Sequence, residues 1–169
     1  MSRTSTLITL IVGLLLVGGA DANAQMFVST GRDTLRGLPG VEVIVEGLQP
    51  ELERAGLTGA AIRADVEKRL RDGGISVYAS QTANPSLAKA YLYVHINALV
   101  LPQAAGYAVA VQVHLRQTLR SPVTGSNIVN AMTWDAENVV GVATAAVQDV
   151  RAELLTFVDQ FVEDWASVH

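Results

Sequence analysis

The chain has 169 residues, half of them hydrophobic, with 12 Lys and Arg against 16 Asp and Glu and no cysteine. A formal charge of −4 with that much apolar content excludes a disordered chain, and it lacks the basic patch expected of a nucleic-acid or anionic-lipid binder. Zero cysteines exclude disulfides, thiolate nucleophiles and thiolate metal sites, and with them the acylated cysteine of a bacterial lipoprotein, so no direct lipid anchor is expected.

In chain order, Arg3 precedes an uncharged stretch from Leu7 to Ala20 rich in Leu, Ile and Val. A membrane span needs roughly 20 apolar residues, whereas a signal peptide's apolar core takes about 7 to 15 and ends in a small-x-small site. Ala22-Asn23-Ala24 supplies that site. Residues 1–24 therefore read as a cleaved signal peptide, Gln25 as the mature start, and the protein as periplasmic or secreted. The competing reading is a retained anchor extended by Met26, Phe27 and Val28; Asp21 and the Gly18-Gly19 pair count against it.

Residues 25–40 mix Gly, Ser, Thr, Asp and Arg and read as a flexible lead-in. Residues 41–169 read as one domain, and a mature chain of about 145 residues buries roughly 68–70% of its unfolded surface, enough for a core without disulfides. Val41-Glu42-Val43-Ile44-Val45-Glu46 alternates as a half-buried strand does. After a turn containing Pro50, Thr58 is placed to cap a helix over 59–72, where Ile62, Val66 and Leu70 recur every fourth residue until Gly73-Gly74 stops it. Ile75 to Ala79 resumes the two-residue period, and strand, helix, strand predicts a parallel pair. Asn84-Pro85-Ser86 then breaks the chain.

Tyr91 to Leu101 and Tyr107 to Leu119 both alternate, and Pro102 to Gly106 between them has hairpin length. Putting both apolar sets on one side pairs Val100 with Val109, Ala98 with Val111, Ile96 with Val113 and Val94 with Leu115. The opposite face then pairs Asn97 with Gln112, His95 with His114 and Tyr93 with Arg116. Asn127 to Asp135 reads as a last strand, and a helix from about Gly141 to Ala166 carries the stripe Val147, Val150, Leu154, Phe157, Phe161 and Trp165. The order β-α-β-β-β-β-α predicts an α+β two-layer sandwich, a mixed sheet of about five strands with two helices on one face.

Chemistry-bearing motifs are sparse. Gly56 to Gly59 precedes a helix but lacks the lysine and spacing of a phosphate loop, and no Gly-x-Ser-x-Gly elbow accompanies the Ser, His and Asp residues. Glu42 and Glu46 share a strand face, but nothing in the pattern buries them to split their pKa values. Trp134, Trp165, Phe157 and Phe161 read as core, with Trp165 the first to leave it, and terminal His169 reads as mobile. His95 and His114, directly opposed, could share a metal or repel when protonated, but neither hairpin strand supplies a third ligand, and no cofactor is expected. The polar face of Tyr93, His95, Asn97, Gln112, His114 and Arg116 is the candidate binding surface, since Tyr and Arg are enriched in interfaces; a plain solvated face is its alternative.

In signal peptide, size and element order from about Val41 to Trp165, the chain resembles small bacterial envelope domains that accompany larger machines. The amino-terminal domain of the Tol-system propeller protein and auxiliaries of outer-membrane assembly are of this kind, and the resemblance involves no specific motif. It implies an exported, non-enzymatic binding or accessory module with a protein partner in the envelope. The alternatives are a small exported metal-dependent enzyme using His95 and His114, and self-association through edge strands.

Overall fold

The structure, a computed structural model, describes Phe27, Val28 and residues 31–169. The signal peptide of residues 1–24 and the mature start at Gln25 lie outside the described residues. The fold is the α+β sandwich that the patterning predicts. Five strands, β2 (Gly40–Val45), β3 (Ser76–Tyr78), β4 (Tyr91–Leu101), β5 (Gly106–Arg120) and β6 (Asn127–Ala143), form a mixed sheet, to which β1 (Phe27–Val28) adds two residues; the order is β1-β6-β5-β4-β2-β3. Three helices, α1 (Pro50–Arg54), α2 (Gly59–Asp72) and α3 (Asp149–Ala166), complete the element list together with short 3-10 turns.

The two long helices exist because each presents one apolar stripe to the sheet. In α2 the buried residues are Ile62, Val66 and Leu70, Thr58 accepts a hydrogen bond from the Ala61 N–H, and Gly74 at φ +82° ends the helix in a conformation that suits glycine. In α3 the stripe of Val150, Leu154, Phe157, Val158 and Phe161 is buried against Val109, Val111, Val113 and Leu115 of β5 and Leu92, Val94 and Ile96 of β4, all in one core. Among the described residues no helix lies on the sheet's other face, so the alternation of β4 and β5 separates a dry side from a wet one.

Four sequence expectations shift. The hairpin register is two residues away from the one proposed: Ala98 faces Val109, Ile96 faces Val111, Val94 faces Val113 and Leu92 faces Leu115. A two-residue slip leaves every side chain on its own face, so patterning could not detect it. The connection decides it, with Leu101 paired to Gly106 across a four-residue loop whose Ala105 takes the left-handed region at φ 47°.

The last strand runs on to Ala143 instead of stopping at Asp135, and the terminal helix starts at Asp149, not near Gly141. Part of the segment read as a flexible lead-in is built into the fold: Leu35 and Leu38 are buried, and Gly31 lies so close to β6 that a Cβ there would fall 1.8 Å from the Thr133 carbonyl oxygen. Trp165 stays packed at the core's margin, its indole N–H donating to the Leu38 carbonyl at 2.9 Å, and His169 stacks on its ring.

Among the described residues the core contains one buried carboxylate. Asp164 accepts the indole N–H of buried Trp134 at 2.9 Å through one oxygen and the Arg32 guanidinium at 2.7 to 2.8 Å through the other. Trp134 in turn meets Phe161 edge-on, ring centroids 5.0 Å apart. A charge in this position is tolerable only because both oxygens are engaged.

Candidate functional site

The open face of the sheet is built from alternate residues of four adjacent strands. Starting at β2, Ile44 pairs with Tyr93 in the parallel β2/β4 register, and Glu46 follows directly, its N–H donating to the Val94 carbonyl. On β4 and β5 the rungs are Tyr91 with Arg116, Tyr93 with His114, His95 with Gln112 and Asn97 with Ala110. From β5 to β6 they continue as Gln112 with Glu137 and His114 with Asp135. All six candidate residues, Tyr93, His95, Asn97, Gln112, His114 and Arg116, therefore lie on one contiguous face, as the alternation implied.

Their neighbours are not the expected ones. Across the strands His95 faces Gln112, and His114 faces Tyr93, so the two imidazoles stand on diagonal rungs instead of opposite one another. His95 Nδ1 is engaged by the Glu46 carboxylate, which also accepts the Tyr93 hydroxyl. The Tyr93 and His95 rings are stacked in nearly parallel planes, and the Arg116 guanidinium lies 5.4 Å from the centre of the Tyr93 ring. Gln112 donates to Glu137 at 2.8 Å.

The result is a polar band across the sheet with a carboxylate at each end, Glu46 on β2 and Asp135 and Glu137 on β6. Those acids are what reading the hairpin alone missed, because they arrive from strands far away in sequence. Their signal was present in part: Glu46 was legible as facing solvent, but its partners depend on the nonlocal β2/β4 register. Among the described residues no group of three His, Asp or Glu side chains is placed to hold a metal ion.

Electrostatics follow from the packing. Hydrogen bonds from Tyr93 and then His95 hold the Glu46 carboxyl below its ordinary value. The same bond to Glu46 raises the Tyr93 phenol, since ionising it would set two negative charges side by side. Partial burial, with the Arg116 charge adding to it, lowers the His114 imidazole, and its Nδ1 has no hydrogen-bond partner among the described residues. The packing thus favours the neutral form of His114.

Beyond Asn97 the face changes character. Leu99 and Val139 stand exposed on either side of Ala108 and Ala110, and with Asn97 and Gln49 they outline a shallow depression of about 440 Å³. Small residues on β5 make its floor. Gln49 also closes the adjoining edge of β4, its amide oxygen accepting the Ala98 N–H at 2.7 Å. The polar band bearing Tyr and Arg thus adjoins a small depression of mixed polar and aliphatic lining.

No family model and no curated protein matches this chain. Among solved structures it is similar to a substituted form of the PelC dodecamer from Paraburkholderia phytofirmans, with 16% identity over 80% of this chain and 94% of that one and a TM-score of 0.46. A second structure of the PelC dodecamer from the same organism gives 16% identity over 78% of this chain and 96% of that one, with a TM-score of 0.42. Both scores fall short of what a common fold gives, and the site is therefore read from its own residues.

Proposed function

We propose that this protein is an exported, non-enzymatic binding or accessory module of the bacterial cell envelope that holds a protein partner on the open face of its sheet. One observation carries the reading: the side of the sheet left uncovered by α2 and α3 bears a continuous surface that joins the polar band of Glu46, Tyr93, His95, His114 and Arg116 to the mixed polar and aliphatic depression between Leu99 and Val139. Such a surface suits contact with protein, because the depression can take an aliphatic or aromatic side chain while the band fixes orientation through charged hydrogen bonds. The resemblance to small envelope accessory domains and the signal-peptide pattern at the amino end support the same reading, as does the engagement of His95 by Glu46, which ties it into the face.

Self-association is the second reading, and β6 favours it. This strand runs from Asn127 to Ala143, and among the described residues its outer side is paired only at Ala136 and Glu137, by β1. A long edge with free N–H and C=O groups is a template for another strand, including one from a second copy.

Cross-linking capture from intact cells tests the reading, comparing the wild type with a Tyr93→Ala, His95→Ala, Arg116→Ala variant shown to be equally folded. Loss of a discrete envelope partner with the variant supports the open face as the site. An unchanged capture pattern removes it. Sedimentation of the same two proteins separates partner binding from assembly: self-association that persists in the variant belongs to another surface, such as the β6 edge.

A further inference from the structure

The β5–β6 hairpin runs past the body of the sheet. Pairing of β4 with β5 begins at Tyr91 and Arg116, while β5 and β6 remain paired as far as Arg120 and Asn127. On this projecting end Leu119, Ile128, Val129 and Met132 are exposed, Val123 at the tip is 91% exposed, and Leu87 is 94% exposed on the neighbouring turn, which is tied to β5 by the Thr118 N–H to the Ala88 carbonyl. Exposed aliphatic side chains gathered at one end of a molecule mark a contact surface.

Two independent observations say what kind of surface meets it. The first is charge. From Gly73 to Trp134 the sequence contains no Asp or Glu, although the chain as a whole has 16, and the Lys and Arg residues of that stretch are Lys89, Arg116 and Arg120. Carboxylates resume at the base of the hairpin, with Asp135 on β6 and Asp33 on the turn whose Thr34 hydroxyl donates to the Thr133 carbonyl. The net charge of −4 thus averages over a polarised molecule, with an apolar, cationic hairpin end.

The second observation is the state of the tip's backbone. The Ser121 N–H donates to the Ser126 carbonyl at 2.8 Å and the Gly125 N–H to the Ser121 carbonyl at 2.9 Å, while the N–H groups of Thr124 and Ser126 donate to the Ser121 and Thr124 hydroxyls. Pro122 has no N–H to satisfy. With most of its donors satisfied internally and the Val123 N–H left without a partner among the described residues, the tip suits the interfacial layer, where water and headgroup oxygens reach that donor, and not the hydrocarbon core.

We propose that the tip of the β5–β6 hairpin is a peripheral membrane contact that seats Val123 and its aliphatic neighbours in the interfacial layer of a bilayer bearing anionic phospholipid headgroups, with Arg120 at headgroup level. Apolar insertion and electrostatic attraction add in such contacts, which are weak and reversible when the inserted area is small. The surface is separate from the open sheet face, so one protein can hold a partner on the face while its tip rests on a membrane.

Co-sedimentation of the exported full chain with phosphatidylcholine vesicles, with and without phosphatidylglycerol, tests the proposal. The wild type binds the anionic vesicles more tightly; Val123→Asp weakens that binding at least about tenfold, and Arg120→Glu removes the preference for anionic lipid, with circular dichroism unchanged for both. Because the chain has no cysteine, Val123→Cys and Ala152→Cys each place one environment-sensitive fluorophore, and on vesicles only the probe at 123 shifts to the blue. Absence of vesicle binding by the wild type assigns the tip to a protein contact and overturns the proposal. Equal binding by the wild type and Val123→Asp, or an unmoved probe at 123, places lipid affinity elsewhere in the chain and overturns it as well.

Discussion

The two faces of the central strands use the same backbone for opposite purposes. On the helix side of β4 and β5, Leu92, Val94, Val109, Val111, Val113 and Leu115 have lost all contact with water. One residue along, on the other side, Tyr93, His95, Gln112, His114 and Arg116 are half-buried; Tyr93 and His95 bond to Glu46 of β2, Gln112 bonds to Glu137 of β6, and Arg116 lies over the Tyr93 ring. Stability should therefore reside in one face and recognition in the other, and substitutions can show whether that division holds.

The largest effect belongs to the dry side. Trp134→Ala removes the biggest fully buried side chain and should lower unfolding free energy by about 3–5 kcal/mol, read by urea denaturation; a loss under about 1 kcal/mol would mean that the Trp134–Phe161 packing is not the keystone it resembles. Asp164→Ala leaves the buried Trp134 indole N–H without its acceptor, while the more exposed Arg32 guanidinium turns to water, with an expected cost of about 1–3 kcal/mol. Arg32→Ala should then cost much less in the Asp164→Ala background than in the wild type, because the two groups meet directly.

At the helix layer's margin, Thr58→Ala deletes the cap on the Ala61 N–H and should cost about 1 kcal/mol. On the open face the effects shrink and become pH-dependent. The folded His114 pKa lies below its unfolded value near 6.5, so the unfolded chain takes the proton first as pH falls. Stability present above about pH 6.5 is then lost below it, and thermal unfolding at about pH 7.5 and pH 5.5 should show a smaller drop for His114→Gln than for the wild type. Tyr93→Phe, which deletes only a hydroxyl on an exposed carboxylate, should change stability by less than about 1 kcal/mol while releasing the constraint that keeps the Glu46 carboxyl low.

Legibility in the sequence followed the range of the interactions. Helix α2 and strand β4 were readable to the residue because their periods, their cap at Thr58 and their stop at Gly73-Gly74 are local. The membership of the open face was readable for the same reason. Which residues touch on it was not, since a two-residue slip of β4 against β5 preserves every face and Ala105, an unremarkable residue, sets the loop that fixes the register. The far half of β6 was missed, and its last residues from about Gly141 were taken for the start of the terminal helix, because Val139, Val140 and Val142 fit either period when a strand is only half buried. Asp164 gave no signal either, being one more acid on an amphipathic helix until Arg32, in a segment read as loose, and Trp134, thirty residues back, close around it.

The central claim is that recognition belongs to the open face. Its most direct measurement places a photo-cross-linking amino acid at Asn97, where the polar band meets the depression, and separately at Ala152, exposed on the outer side of α3, and irradiates intact cells. Discrete adducts of one envelope protein, or of the protein with itself, formed from position 97 and not from 152 are the predicted result. Equal adducts from both positions, or adducts from 152 alone, would contradict the division of the sheet into a face that stabilises and a face that binds.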